Sequence, residues 1–449
     1  MPLPTRAETF TLQNARAMAN DAPAFLLETA RKLGPVFRVG VGPITLTIVS
    51  EPQALQHVLQ KRAQAWGRGT AVDGIRPFLG NGLPLADPPL WLTQRRTMQP
   101  AFHKSNGPRW VELIQEATIG TLNALKPGEA VVTRRLMMLI TRDVIVRAMF
   151  SHSLGSEVHR IDEAFQVIED FVAGLAVRPV HLPLWMPTPL HQRFKKAVTY
   201  LDARLQALID ERRTQADPPM DLLTMLLRAK DPETGQHMSD RQLRDEVMNI
   251  FFAGHETTAN LLTWVVYLLH QHPEAKQRAI AEVDAVVSQR PLTSEDAAKL
   301  PWIGAVLRET LRLYPPAWLF ARQALEDDAV QDTPMKKGAV VLVLPYLTHH
   351  LAENWERPDV FDPSRFLTET STDAATWKYR YLPFGAGPHV CIGNHFAMLE
   401  ATVVLAMLLQ RGTLELTAPN AVKPKVGATL GVADGLPAVF QQRVTAAAS

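Results

Sequence analysis

The stretch that most constrains this chain is residues 384–393, because it holds the only cysteine among 449 residues. A lone cysteine excludes an intramolecular disulfide and any zinc or iron–sulfur site that needs several thiolates. A metal at Cys391 would therefore take its other ligands from a cofactor. Gly385, Gly387 and Gly393 allow tight turns or the close approach of a flat group. The helical pattern that follows points N-terminal amides at the sulfur and favours a thiolate. Taken alone, the stretch fits a small buried core residue equally well.

Composition places the chain among ordinary globular proteins, with 46% hydrophobic and 20% charged residues. A net charge of +2 gives no indication of nucleic-acid binding. The N-terminal region lacks the apolar core of a signal peptide, and no apolar run is long enough to cross a bilayer. We expect a monomeric cytoplasmic protein without a transmembrane segment, and loose contact with a membrane surface stays open.

The apolar periodicity is mostly helical, and short segments rich in β-branched residues indicate small sheets. A capping pattern at Ser239 starts a helix that continues to about His270, which would span roughly 50 Å. No linker divides the chain. We therefore predict a mainly α (α+β) fold in a single domain, residues 1–449, with a β-rich part at about 30–70 and a helical core at about 90–411.

The long helix carries an unusual polar turn at residues 253–258. A glycine inside a helix costs about 1 kcal/mol relative to alanine, so Gly254 indicates that something needs the space. Glu256, Thr257 and Thr258 add an acid and two hydroxyls, and a threonine that bonds a carbonyl of the preceding turn can loosen the helix and admit water. Such a groove can relay protons. A partly exposed polar turn explains the same residues.

Glu309 and Arg312 are three residues apart on a helix whose neighbouring residues are apolar. This spacing allows an ion pair, and the apolar surroundings favour a buried one. A buried pair needs further partners, for which Arg365 is a candidate.

Trp91 and Arg95 are four apart and share a helical face. With Arg322 and His389 they are the natural donors to a carboxylate-bearing cofactor over Cys391, because arginine matches carboxylates with two hydrogen bonds. Each one singly is more often a surface charge or a core residue.

Together these motifs make the chain resemble a cytochrome P-450, a haem-thiolate monooxygenase. The resemblance covers essentially the whole chain, and the motifs stand in the order typical of the family. They are Trp91-x-x-x-Arg95, Ala253-Gly-x-Glu-Thr-Thr258, Glu309-x-x-Arg312 with Arg365, and Phe384-Gly-x-Gly-x-His-x-Cys391-x-Gly393. Many family members have arginine where His389 stands, and a histidine can also bond a haem propionate.

The resemblance implies a fold around a buried haem b, with dioxygen as co-substrate. Cys391 would be the iron ligand, in a loop shaped by Phe384 and Gly393. Thr257, helped by Glu256, would deliver protons, and Gly254 would leave room for oxygen. The haem propionates would be held by Trp91, Arg95, Arg322 and His389, and a structural triad would be formed by Glu309, Arg312 and Arg365.

The reaction needs electrons, and the chain has neither a dinucleotide-binding fingerprint nor iron–sulfur ligands. We expect them to come from NAD(P)H through a ferredoxin or flavodoxin with its reductase. A basic docking patch is predicted from Arg95, Arg96, His103, Lys104, Lys378 and Arg380.

The segments expected to line the substrate pocket are apolar and aromatic, which predicts an apolar substrate. Their aromatic residues are Phe78, Phe165, Phe171, Trp185, Phe251, Phe252, Trp318 and Phe320. The run of helices and the Tyr314-Pro-Pro-Ala-Trp318 segment are similar to bacterial members of the family that act on carotenoids. This resemblance implies hydroxylation of a carotenoid or other terpenoid. Alternatives are a fatty-acid hydroxylase, a peroxygenase, a haem isomerase or dehydratase, and a non-catalytic haem gas sensor.

Overall fold

The computed structural model describes residues 7–8, 12–41, 44–151, 158–177, 182–367, 374–418 and 422–443. Its α-helices are α1 (Leu12–Leu33), α2 (Pro52–Gln56), α3 (Arg76–Leu79), α4 (Leu90–Met98), α5 (Gly107–Ala124), α6 (Thr133–Phe150), α7 (Val158–Val177), α8 (Pro189–Thr214), α9 (Leu222–Arg228), α10 (Asp240–Gln271), α11 (Pro273–Val286), α12 (Ser294–Ala297), α13 (Pro301–Leu313), α14 (Pro345–His350), α15 (Ala374–Arg380) and α16 (Asn394–Arg411).

The strands are short. They are β1 (Ala7–Glu8), β2 (Val36–Val41), β3 (Ile44–Val49), β4 (Trp66–Gly67), β5 (Ala130–Val132), β6 (Phe320–Ala324), β7 (Asp328–Val330), β8 (Thr333–Met335), β9 (Val340–Val343), β10 (Gly412–Leu416), β11 (Pro424–Val426), β12 (Leu430–Val432) and β13 (Pro437–Gln442). The predicted mainly α fold with small sheets is confirmed.

Helix α10 is the central element, with 32 residues and buried side chains along most of its length. It begins where the capping pattern predicts, because the Ser239 side chain accepts a hydrogen bond from the backbone N–H of Gln242 at 3.2 Å. It ends at Gln271, before Pro273 opens α11. Helices α6, α13 and α16 pack around it, so the polar turn at 253–258 lies in the middle of the bundle.

The predicted β-rich region forms only part of its sheet. Strands β2 and β3 pair antiparallel, but the sheet has the order β1-β2-β3-β9-β6-β4 and so takes two strands from residues 320–343. A three-stranded sheet, β10-β13-β5, joins the end of the chain to the segment before α6. Within the residues that the structure covers, no helix is long and apolar enough to cross a bilayer.

Candidate functional site

The Cys391 loop closes on itself before α16. The backbone N–H of Cys391 donates to the carbonyl of Phe384 at 2.9 Å, and Gly385 and Gly387 take positive φ angles of 72° and 71°. A Cβ on Gly387 would lie 1.8 Å from the carbonyl oxygen of Leu59. Glycine is therefore required there for both conformation and space.

Opposing effects act on the pKa of the Cys391 thiol. Burial raises the pKa of the thiol, whereas the backbone N–H of Gly393 and the charge of Arg95 lower it. The raising effect wins, so the protein alone keeps a thiol. A bound cation deprotonates such a ligand outright.

Positive charge accumulates beside this loop. Burial lowers the pKa of Arg322 well below its usual value and that of Arg68 to about 10, while Asp87 partly offsets both shifts. Burial and the charges of Arg68, Arg322 and Arg95 lower the pKa of His389 to about 3. Arg68 and Arg322 thus share the carboxylate of Asp87, and Arg95 adds a third guanidinium group, so the positive charges that these shifts identify outnumber the carboxylate.

Hydrogen-bonding capacity is also left over in this cluster. The rings of Trp91 and His389 lie 3.9 Å apart between centroids. In the part of the chain that the structure describes, His389 Nδ1 and Arg68 Nε are buried without a partner. Arg95 donates to the carbonyl of Val390 at 2.8 Å. Buried donors with surplus positive charge fit a ligand that carries two carboxylates.

These residues fit a haem. One soft thiolate donor, a glycine-rich loop and a cationic group beside it match iron, a flat macrocycle and two propionates. Sequence reasoning predicts Trp91, Arg95, Arg322 and His389 for this role but misses Arg68. Its loop position carries no motif, and its partners come from distant parts of the chain.

The polar side chains in the 253–258 turn of α10 have two different kinds of partner, one within the helix and one on α6. The Thr257 hydroxyl donates to the carbonyl of Ala253 at 2.9 Å, the predicted bond to the preceding turn. Glu256 pairs with Arg134 of α6, with Oε1 3.0 Å from Nη2. Arg134 was not predicted, because it stands more than a hundred residues away.

Gly254 lies where α6 and α10 approach each other. A Cβ there would lie 2.9 Å from Cδ1 of Ile145 on α6. The missing side chain therefore lets the two helices pack closely, and the expectation that it leaves room for oxygen stays a prediction.

A further carboxyl lies behind this turn. Glu400 of α16 is completely buried, and among the described residues neither of its carboxyl oxygens has a hydrogen-bond partner of normal geometry. Burial raises its pKa well above the usual value, against a smaller opposing effect of Thr258. Glu400 is therefore a neutral acid.

Glu309 and Arg312 form a completely buried ion pair, with Arg312 Nε 2.7 Å from Glu309 Oε2 and Nη2 2.8 Å from Oε1. Arg365 Nε adds a longer contact of 3.3 Å to Oε1. Arg312 also donates to the carbonyls of His349, Pro358 and Val360. The arrangement fixes the segment that leads towards the cysteine loop.

Four predicted pocket aromatics converge. Phe165 of α7 stacks on Phe251 of α10 with 4.2 Å between ring centroids. Phe78 contacts Phe165 and Phe252 edge-on at 6.3 and 5.6 Å. Trp185 does not join them: its side chain is 76% exposed, and its prediction as a pocket residue is wrong.

Comparison with known proteins gives the same result as the geometry. The cytochrome P-450 family model matches residues 2–434. Cyclooctatin synthase of Streptomyces melanosporofaciens is 32% identical over 394 residues, covering 87% of this chain and 85% of that protein. Cyclooctat-9-en-7-ol 5-monooxygenase of the same organism is 31% identical, covering 85% and 83%. Carotene epsilon-monooxygenase, chloroplastic, of Arabidopsis thaliana is 29% identical, covering 93% and 81%. With a family match over nearly its whole length and site residues that fit one thiolate and two propionates, this chain belongs to the cytochrome P-450 family and is a monooxygenase.

Proposed function

We propose that this enzyme hydroxylates a carotenoid or another terpenoid. The cluster of Phe78, Phe165, Phe251 and Phe252 is the observation that carries this proposal, because such a surface favours a large apolar ligand. The names of the relatives support it: one contains cyclooctatin, one contains cyclooctat-9-en-7-ol and one contains carotene.

Haem b is the proposed cofactor, with Cys391 as iron ligand in the loop between Phe384 and Gly393. Trp91, Arg95, Arg322 and His389, together with Arg68, would hold its propionates. When bound, the haem would activate dioxygen with two electrons and two protons, so that one oxygen atom enters the substrate and the other leaves as water. The Gly393 amide and the Arg95 charge stabilise the negative charge on the sulfur.

Thr257 and Glu256 are the proposed proton-delivery residues. The Thr257 hydroxyl is held by the Ala253 carbonyl, which fixes its oxygen as an acceptor for a proton arriving from water. Arg134 holds the Glu256 carboxylate on the far side of the same turn, so release of this ion pair would free Glu256 to carry a proton.

Electrons would come from NAD(P)H through an acidic ferredoxin, or a flavodoxin, with its reductase. His103, Lys104 and Lys378 of the predicted docking patch are exposed. Arg96 is engaged with Asp231 and Glu233, and Arg95 bonds Val390, so these two are less available to a partner. We further propose that the chain acts as a single-domain monomer.

Two measurements test the function. Carotenoids and cyclic terpenoids, matched with fatty acids of similar length, are titrated into the ferric enzyme and the spin-state change of the haem spectrum is recorded. Binders are then incubated with ferredoxin, its reductase, NADPH and dioxygen. A terpenoid product containing one oxygen atom from dioxygen is expected. Spin-state changes with fatty acids alone would overturn the substrate class, and turnover with peroxide alone would overturn the electron route.

A further inference from the structure

A cavity outside the site already described lies between the end of α8, helix α9 and the start of α10. None of its lining residues belongs to the haem site or the aromatic cluster. Its volume is about 500 Å³, which falls in the range of small-molecule sites. The floor is apolar and buried, since Leu226 and Leu243 are 0% and 2% exposed, and Met238 also lines it. Such a floor favours the apolar part of a small molecule.

The charged lining of this cavity has one sign only. Among the residues that the structure describes, no carboxylate lines it. Its titratable side chains are all basic: Arg212, Arg213, Arg228 and His237. Two of these have acidic partners, because Arg212 pairs with Asp221 and Arg213 pairs with Asp240. The other two remain available to a ligand.

Arg228 and His237 are the exposed members of this lining that lack an acid. Within the described part of the chain, the Arg228 guanidinium donates only to the thioether of Met220, with Nη1 3.1 Å from Sδ, and a thioether is a weak acceptor. His237 Nδ1 donates to the carbonyl of Ala229 at 3.1 Å, which leaves Nε2 without a described partner. A guanidinium in this state matches a carboxylate, which can accept two of its hydrogen bonds.

We propose that this cavity binds an amphipathic carboxylate, a small monoanion with an apolar chain. The carboxylate would pair with Arg228 at the mouth, and a protonated His237 would add a second contact. The chain would lie on the floor formed by Leu226, Met238 and Leu243. Both parts of the ligand are needed, because an exposed ion pair alone is weak and burial of the chain supplies the rest of the affinity.

Two helices connect this cavity to the aromatic cluster. Leu208 of α8 and Val247 of α10 line a smaller apolar cavity together with Phe251 of the cluster. Leu208 lies about one helical turn before Arg212, and Val247 lies about one turn after Leu243. A ligand in the larger cavity would therefore contact the same two helices that border the cluster, and it should change the affinity for a terpenoid. That consequence alone rests on the proposed function.

The test uses the full-length haem protein and three probes that share an eight-carbon chain: octanoate, octanol and octyltrimethylammonium. Titration calorimetry should detect octanoate binding that leaves the haem spectrum unchanged. Octanol and the cation should bind about tenfold more weakly or less, the loss expected when a charge-assisted hydrogen bond is missing. Acetate, which has no chain, should not bind at the same concentrations.

Two variants address the two parts of the site. Arg228→Gln should bind octanoate about tenfold more weakly. Leu227→Trp, which adds volume to a lining residue of α9, should not bind it. The matched control Lys196→Gln removes an exposed base near the start of α8 and should bind octanoate normally. An unchanged haem spectrum and an unchanged urea midpoint show that each variant is folded.

Four results would overturn the proposal. They are wild-type protein that does not bind octanoate, equal affinity for octanol, normal binding by Arg228→Gln, and octanoate binding that shifts the haem spin state and persists in Leu227→Trp. The coupling is measured separately: octanoate should change the terpenoid affinity, and the terpenoid should change the octanoate affinity by the same factor. If no terpenoid shifts the haem spectrum, the proposed function fails while octanoate binding in this cavity stands.

Discussion

His349 accepts a hydrogen bond from the backbone N–H of Leu382, with 3.0 Å between that nitrogen and Nε2. Because a backbone N–H can only donate, Nε2 must be unprotonated. The other ring nitrogen, Nδ1, lies 3.1 Å from the carbonyl oxygen of Arg312 and therefore carries the proton. Burial lowers the pKa of His349 well below its usual value, so the ring stays neutral. The ring therefore links Arg312, a member of the buried ion pair of α13, to Leu382 in the segment that leads into the Cys391 loop.

Replacing His349 by alanine should weaken both the fold and the cysteine loop. Two buried backbone groups would lose their partner, at about 1–3 kcal/mol each. We expect the free energy of unfolding in urea to fall by about 2–6 kcal/mol. The reduced, carbon-monoxide-bound protein should also contain less of the strongly red-shifted thiolate band.

His350→Ala is the matched control. This neighbour is also buried, but its Nδ1 bonds only the Tyr346 carbonyl within its own helix. It should lose stability without changing the carbon-monoxide spectrum. If the two variants changed that spectrum equally, the link through Leu382 would not position the loop.

The buried pair of Glu309 and Arg312 predicts a large and non-additive effect. Arg312→Met leaves the Glu309 carboxylate with the backbone N–H of Asp362 at 2.9 Å and the longer Arg365 contact, and it strips donors from three carbonyls. A loss of about 3–5 kcal/mol in unfolding free energy is expected. The double variant Glu309→Gln/Arg312→Met should lose less than the sum of the single variants. Additive losses, measured by chemical denaturation, would mean that the pair is not coupled.

The sequence predicts local features of this fold well, because they depend on neighbours along the chain. The capping serine of α10, the prolines that open helices and the glycines of the cysteine loop all act within a few residues. The motif residues around Cys391 are of this kind, since their spacing sets which face of a helix or loop they share.

Partners that tertiary packing brings together were not predictable. Arg68, Arg134 and His349 carry no local signal, and each meets its partner across a long stretch of chain. Trp185 shows the opposite error, in which a residue type suggested a role. Its side chain is exposed, because packing decided where that position faces.

Arg68 should matter for cofactor retention although no motif contains it. A charge-assisted hydrogen bond contributes about 1.5–3 kcal/mol, so Arg68→Ala should release haem to an excess of apomyoglobin roughly 10- to 100-fold faster. Arg62→Ala, which removes an exposed arginine paired with Glu326, is the control and should release haem at the wild-type rate. Equal rates for both variants would remove Arg68 from the propionate site.

Glu246 should make stability depend on pH. Burial raises its pKa to about 8, against the lowering effect of its bond to Leu83, and its Oε2 accepts that backbone N–H at 2.9 Å. From pH 4.5 to 8 the folded state therefore holds a proton that the unfolded state has released. The contribution of Glu246 to the free energy of unfolding is fully present below pH 4.5. It falls as the pH rises towards 8, by up to about 1.4 kcal/mol per pH unit.

Glu246→Gln lacks this titration. Its unfolding free energy relative to wild-type should therefore rise steadily between pH 5 and 8 in urea titrations. A difference that stayed constant over this range would show that Glu246 is already ionised in the fold.

Thr257 should control how efficiently electrons reach product. Thr257→Ala removes the hydroxyl held by the Ala253 carbonyl at 2.9 Å, so protons would no longer be delivered in order and peroxide should escape. The measurement uses a substrate that shifts the haem spin state. We expect the rate of NADPH consumption to stay within about threefold of wild-type, while the amount of product per NADPH falls about tenfold. Peroxide should account for the missing electrons. Thr257→Ser keeps the hydroxyl and should keep most of the coupling.

Arg134→Ala, which frees Glu256 from its ion pair, should alter the pH dependence of coupling while leaving substrate binding intact. Full coupling in Thr257→Ala would assign proton delivery to another group, for which the neutral acid Glu400 behind Thr258 is the structural candidate.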